Sequence, residues 1–341
     1  MIKTSSEITL DHFLNAQKNI SSLVRRTPIK PSLSLSKSLG KDIRLKLENM
    51  QDTGAFKLRG AAHKILSLSD AEKNCGIITM SSGNHGKSVA WTAKKLGLKA
   101  IIVVTNLVPQ NKVNAIKELG AEVIICSGDQ NQGTDFAISL AQEKSMTYIS
   151  PFDDPDIIAG QGTIALEIIE DWAEVDTIIA PVSGGGLMSG IALAAYYLKP
   201  EIKIIGVTIE HGAAMYDAIQ KGHLTDVEEV PSIADALQGP LPKDTKYTFP
   251  ICRDYIDELI LISDDQIKRA MFHALKYEKL VLEGGGAAAI ALLQNPKPEN
   301  LKGQKATLGQ NIAVICSGDN VDFELMMEIA LEYSTNDKDI T

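Results

Sequence analysis

The chain has 341 residues, 44% hydrophobic and 23% charged, with a formal net charge of -9; this suits one large buried core or two ordinary ones and argues against nucleic acid, whose phosphates need a basic surface. Its apolar runs fall short of the roughly 20 residues that span a bilayer, and the N-terminus is polar, with no basic-then-apolar leader. Cys75, Cys126, Cys252 and Cys316 show neither pairing nor metal spacing, so a reduced, cytoplasmic protein without a membrane partner is expected.

The strand-like IRLKLE (43–48) comes first. From Cys75 to Ser150 short apolar runs alternate with helices. GIITM (76–80) leads to a helix from Asn84 to Leu96, stopped by Gly97. AIIVV (100–104) leads to a helix over 110–119, stopped by Gly120. EVIIC (122–126) leads to a helix over 134–144, and MTYIS (146–150) closes the series. Such alternation implies parallel β-α-β units and a small doubly wound domain. It resumes with a helix over 158–171, then strands at 176–182, 203–209, 258–263 and 313–317. Helices intervene at 187–198, 213–221, 264–278, 286–293 and 321–332. With 43–48 in this second sheet, two open parallel-sheet α/β domains result, the smaller (51–150) inserted in the larger (1–50 and 151–341). The segment 225–253 carries Pro231, Pro240, Pro242 and Pro250 and reads as irregular loop.

Four pieces carry chemistry. LENMQDTGAFKLRGA (47–61) sets Lys57 after a glycine turn among apolar neighbours. Taken alone, such a lysine is most often a surface side chain at a helix start. The functional alternative is a Schiff-base lysine, made nucleophilic where burial disfavours ammonium, with Phe56 packing under a flat cofactor. SSGNHG (81–86) gathers hydroxyls and amides at a helix N-terminus. That is an anion site by geometry, and equally a common cap composition; His85 reads as a base or as a structural ring. PVSGGGLMSG (181–190) is a glycine turn whose amides could approach a phosphate, though it matches neither G-x-G-x-x-G nor a P-loop. EGGGAAAIA (283–291) reads equally as a second such turn or as tight helix packing. VICSGDN (314–320) sets Ser317 at a strand's C-terminal edge, where open α/β sheets meet ligands and where loop-initiating serines also occur.

In this combination and order, from VRRTPIKPS (24–32) to VICSGDN, the chain resembles the fold-type II pyridoxal-phosphate enzymes, in the threonine/serine dehydratase and serine racemase branch. The resemblance implies pyridoxal 5'-phosphate as cofactor and Lys57 as its Schiff-base lysine. It gives Ser81, Ser82, Gly83, Asn84 and His85 to the substrate carboxylate and the cofactor's ring hydroxyl, with Asn84 on the ring oxygen. It gives Ser183, Gly184, Gly185, Gly186 and Leu187 to the phosphate, and Ser317 to the pyridine nitrogen. A neutral serine there leaves the ring a milder electron sink, adequate for loss of a β-hydroxyl. The implied activity is an ammonia-lyase acting on L-threonine or L-serine, with Lys57 as general base and a 2-oxo acid and ammonia as products. Ser82 matches the serine that acts on the opposite face in serine racemases.

Three departures stand out. Ser183 replaces the first of four usual glycines. Thr208 stands where a glutamate helps bind a divalent cation in relatives, so no metal is expected. Asp319 adds a charge beside Ser317. GAAM (212–215), YTFP (247–250) and VLEGGG (281–286) look like hydroxyectoine-utilisation dehydratases, and 3-hydroxyaspartate dehydratases are close. β-Replacing relatives usually carry T-G-N-T-G in place of SGNHG. A non-catalytic cofactor-binding protein is the reading of another class, opposed by the intact Lys57, Asn84 and Ser317. The partner is a small amino-acid substrate, the assembly a homodimer or homotetramer. Little chain follows Ser317, so no C-terminal regulatory domain is expected.

Overall fold

The computed structural model describes residues 7–106, 108, 110–294 and 306–335. The chain enters through α1 (Leu10–Ile20), whose Phe13, Ala16 and Ile20 are buried. A short strand β1 (Ile29–Pro31), α2 (Leu33–Leu39) and β2 (Asp42–Lys46) follow. Next come α3 (Lys57–Ser67) and α4 (Asp70–Cys75), the latter started by a capping box between Ser69 and Glu72.

The middle of the chain is β3 (Ile77–Met80), α5 (Asn84–Leu96), β4 (Ala100–Thr105), α6 (Gln110–Glu118), β5 (Glu122–Cys126), α7 (Gln130–Glu143) and β6 (Thr147–Tyr148). These strands form a four-stranded parallel sheet in the order β5-β4-β3-β6. Every residue of β4 is buried, as a strand covered on both faces requires. Helix α7 starts at Gln130, earlier than its apolar pattern suggests, because Asp129 and Gln132 close a capping box ahead of it.

The remaining elements are α8 (Pro155–Asp171), β7 (Thr177–Pro181), α9 (Gly186–Leu198), β8 (Lys203–Ile209), α10 (Ala214–Lys221), α11 (Thr248–Tyr255), β9 (Glu258–Ile262), α12 (Asp264–His273), α13 (Gly284–Gln294), β10 (Asn311–Ile315) and α14 (Phe323–Thr335). The larger sheet runs β1-β2-β10-β7-β8-β9. It is parallel except for β1, which pairs antiparallel with β2. All strands of the smaller sheet therefore lie between β2 and β7 in the chain. The expected α/β architecture with two parallel sheets is observed, with β1 as an antiparallel addition.

One expectation needs correction. The segment 225–253 is not irregular throughout: it holds a 3-10 turn at Asp235–Leu237 and the start of α11. Pro250 sits in the first turn of α11, where a missing N–H costs nothing. The cap comes from far upstream. Asp153 accepts from the backbone N–H of Tyr247 at 2.9 Å and of Thr248 at 2.8 Å. Helix α12 also ends sooner than read, passing into a π turn over Ala274–Glu278. Among the described residues no helix is long and apolar enough to cross a membrane.

Candidate active site

The strand-to-helix turns of both sheets open onto one cleft of about 840 Å³. It is lined by Phe56 and Lys57, by Ser81, Ser82, Gly83, Asn84 and His85, by Ser183 through Leu187, and by Ser317. Every site residue expected from the sequence is thus brought to the same place. The reason two distant motifs meet is backbone pairing. The N–H of Phe56 donates to the Ser317 carbonyl at 3.0 Å, and that of Asp319 to the Gly54 carbonyl at 2.9 Å. The turn that carries Lys57 is stitched to the loop that carries Ser317.

Lys57 is the first residue of α3. Its Nζ donates to the Pro151 carbonyl at 2.7 Å and lies 5.5 Å from the centre of the Phe56 ring. Burial lowers its ammonium from the usual lysine range to about 8. A neutral amine is thereby within reach near neutral pH, as a nucleophile or base requires. Ser317 is buried, and its hydroxyl donates to the Gly285 carbonyl at 3.1 Å.

Two helix N-termini face the cleft, and each presents unpaired N–H groups to an anion. At α5, the Gly83 N–H donates to the Ser81 hydroxyl at 3.3 Å. At α9, Gly185 is the cap with φ of 86°. A Cβ placed on Gly184 would stand 2.5 Å from Cδ1 of Phe152. The turn lies flat on that ring, with no room for a side chain at 184.

Asn84 is held from both sides. Its Nδ2 donates to Oε1 of Glu283 at 2.6 Å, and its Oδ1 accepts from Nδ2 of Asn320 at 2.6 Å. Lys87 Nζ donates to Oδ1 of Asn320 at 2.6 Å. The second N–H of Asn84 is left for a ligand. Burial, then the nearby charge of Lys57, pushes the His85 imidazole down to about 3. The ring is neutral; its Nε2 lies 3.2 Å from the Ile149 carbonyl, and its buried Nδ1 has no partner among the described residues. This favours the structural reading of His85.

Behind α3 lies a paired charge cluster. The Arg59 guanidinium donates to Glu48 at 2.7 and 2.8 Å and to Glu167 at 2.6 and 2.8 Å. Lys46 donates to Glu167 at 2.5 Å. All four are buried. Burial pushes the Glu48 carboxyl up, but Arg59 outweighs it and holds the group below its usual range.

Sequence reasoning missed several residues of the cleft: Glu283, Phe152, Asn320 and the Lys112–Asp235 ion pair, 2.8 Å apart. Only Glu283 carried a usable signal, a carboxylate opening a run of glycines and alanines. Thr208 is buried within β8. Among the described residues no group of three or more His, Cys, Asp or Glu side chains is placed to hold a metal ion.

An amine lowered by burial, two helix N-termini and a buried hydroxyl around one cleft describe a site for a cofactor with an aldehyde, an anionic group and a ring nitrogen. Residues 20–318 match the family of pyridoxal-phosphate dependent enzymes, and the chain belongs to it. It is 40% identical over 322 residues to a catabolic L-threonine dehydratase of Staphylococcus aureus, covering 94% of this chain and 91% of that one. It is 36% identical over 322 residues to an L-threonine ammonia-lyase of Thermotoga maritima, covering 94% and 78%. The structure of maize serine racemase superposes with a TM-score of 0.88 at 32% identity, covering 97% of this chain and 99% of that one. The fold-type II architecture expected from the motifs is borne out.

Proposed function

We propose that this chain is a pyridoxal-phosphate-dependent ammonia-lyase that eliminates water from a small β-hydroxy amino acid, L-threonine or L-serine, the released enamine then tautomerising and taking up water to give a 2-oxo acid and ammonia. The observation that carries this reading is that Lys57 and Ser317 line one cleft: an amine whose burial brings it down to about 8, and an uncharged hydroxyl rather than an acid. The relatives from Staphylococcus aureus and Thermotoga maritima are named for the same chemistry on L-threonine.

When bound, the cofactor supplies an electron sink for the bond broken at the substrate α-carbon. The protein does the rest. The α9 N-terminus with Ser183 through Leu187 holds the phosphate, the dipole and exposed N–H groups favouring the anion. Ser81, Ser82, Gly83 and the α5 N-terminus receive the substrate carboxylate, and Asn84 offers its spare N–H to the ring oxygen. Phe56 supplies an apolar wall. Ser317 accepts or donates one hydrogen bond without fixing a proton. Lys57, once released, takes the α-proton on Nζ as general base.

The cleft wall favours an uncharged substrate side chain over 3-hydroxyaspartate. Asp129, Glu229, Asp235 and Asp322 line it against Lys87 and Lys112. Lys87 is engaged by Asn320, and Lys112 by Asp235. A second reading, serine racemase, is favoured by Ser82, which lines the cleft at the α5 N-terminus, and by the likeness to the maize enzyme. The test is release of 2-oxo acid from L-threonine, L-serine, 3-hydroxyaspartate and hydroxyectoine by the cofactor-loaded protein. Release from the first two supports the lyase. D-serine formed from L-serine without 2-oxo acid would replace it with the racemase.

The inserted small domain at 51–150, a homodimer or homotetramer and a cytoplasmic setting belong to the same proposal. The insertion is supported by the strand order, since all strands of the smaller sheet fall between β2 and β7.

A further inference from the structure

Glu283 stands immediately before α13, within the cleft and buried. Its backbone N–H donates to the Gly318 carbonyl at 3.1 Å, which fixes it beside the loop of Ser317. A Cβ on Gly318 would fall 2.4 Å from Oε1 of Glu283. The carboxyl therefore occupies space that exists only because residue 318 has no side chain. Its one hydrogen bond among the described residues comes from Asn84 Nδ2, at 2.6 Å. No cation lies within ion-pair distance of it among those residues, although it sits on the floor of a site made for an anionic cofactor.

The charged groups around it are unfavourable in sum. Asp235 approaches from the turn that follows α10 in the chain, and Asp319 from the loop after β10. Lys112, from α6, opposes them but is already paired with Asp235, and Lys87, from α5, is engaged by Asn320 and faces Asp319. Burial first, then Asp235, raises the Glu283 carboxyl to about 7.

We propose that Glu283 is a positioning residue: as an uncharged acid it orients Asn84 toward the cofactor's ring oxygen, and its ionisation alters the protonation of that oxygen. Asn84 has two N–H groups. One is spent on Glu283, and its carbonyl is spent on Asn320; the second N–H is the one offered to the ring oxygen. An anionic Glu283 would set a second negative charge one side chain from that oxygen, in a poorly hydrated site where like charges raise each other's pKa. A neutral Glu283 leaves the oxygen free to be the anion. The acid thus holds a proton that the two groups compete for through Asn84.

The inference rests on the cofactor assignment above, so its test separates the two. The holoenzyme is titrated from pH 5.5 to 9, following the ratio of the cofactor's near-ultraviolet and visible absorption bands. Wild type is expected to show one transition with a midpoint near 7. Glu283→Gln, uncharged at every pH and able to accept from Asn84, is expected to lose that transition and keep the low-pH ratio. Asp319→Asn is the control for the neighbouring carboxyl, itself raised to about 6 by burial; it should move the midpoint and not remove the transition. An unchanged transition in Glu283→Gln, or none in wild type, overturns the proposal. The apo-protein gives a second readout. Its melting temperature should fall as pH rises through 7 in wild type and stay level by comparison in Glu283→Gln. If neither protein shows a cofactor band, the cofactor assignment falls while the apo measurement still decides whether Glu283 holds the proton.

Discussion

Two sets of buried charge flank α3, and they differ in compensation. On the side away from the cleft, Arg59 meets Glu48 and Glu167, and Lys46 meets Glu167, each through short hydrogen bonds. Every charge there has an opposite partner, and the groups come from β2, the turn after it, α3 and α8. Such a cluster fixes geometry: removing one member strands another charge away from water. On the cleft side, the half-buried Lys57 and the buried Glu283 have no counter-charge in hydrogen-bond contact among the described residues. They respond in the opposite way, by moving their protons. The first set holds the helix still; the second leaves its groups ready for chemistry.

The largest effect is expected at Lys57. Lys57→Ala should abolish the visible absorption of the cofactor-loaded protein and lower kcat by about 10³-fold or more, the scale of a lost general base. The fold should survive, because no buried charge is stranded. Circular dichroism alongside absorbance checks both halves. A variant that keeps its visible band would remove the central assignment.

Arg59 lies two residues further on and should give the converse result. Arg59→Ala strands Glu48 and Glu167 and should cost about 3–5 kcal/mol of stability. Urea midpoints measure it; a change under about 1 kcal/mol would mean that the cluster is not a structural clamp. Glu283→Gln, by contrast, strands no charge and should not lower the midpoint at neutral pH.

Much of this site was legible in the sequence, since each half of the cleft is announced by short motifs. Lys57, the Ser81–His85 loop, the Ser183–Leu187 turn and Ser317 all stand where expected, because glycine turns and helix caps are local and carry local signals. The rest depends on contacts made across the chain. The Asp153 carboxyl caps α11 from 95 residues away, so a proline-rich stretch read as loop contains a helix. Glu283 opens a run read equally as a glycine turn or as tight helix packing, and neither reading gives its carboxyl a role. Its burial follows from the missing side chain at Gly318 and the approach of Asp235, neither of which has a pattern. The clamp at Arg59 was invisible for the same reason: Glu48 and Glu167 are ordinary acids until β2 and α8 are brought together.

A smaller effect tests the glycine turn. Gly184→Ala would push a methyl group into the Phe152 ring, an overpacking worth about 1–3 kcal/mol. Displacement of the turn should weaken cofactor affinity by roughly tenfold or more, about 1.4 kcal/mol per decade. Adding Phe152→Leu should recover part of the loss. Equal cofactor affinity in Gly184→Ala and wild type would show that the turn does not hold the phosphate.

The smallest effect is a pair of opposing slopes in the apo-protein. Glu283 is raised to about 7 from an ordinary 4.5. Between those values the folded state binds the extra proton, so stability is lost as pH rises through 7. Lys57 is lowered to about 8 from 10.5. Between those values it is the unfolded state that binds the extra proton, so stability is gained as pH rises. Subtracting the melting curve of Glu283→Gln from that of wild type should isolate the falling limb, and subtracting that of Lys57→Met the rising one. Glu48 should contribute to neither window, since Arg59 holds it below its usual range and its linkage lies at acid pH. A difference curve that is flat for both cleft residues would mean that their burial is relieved in solution, and the contrast between the two sides of α3 would vanish with it.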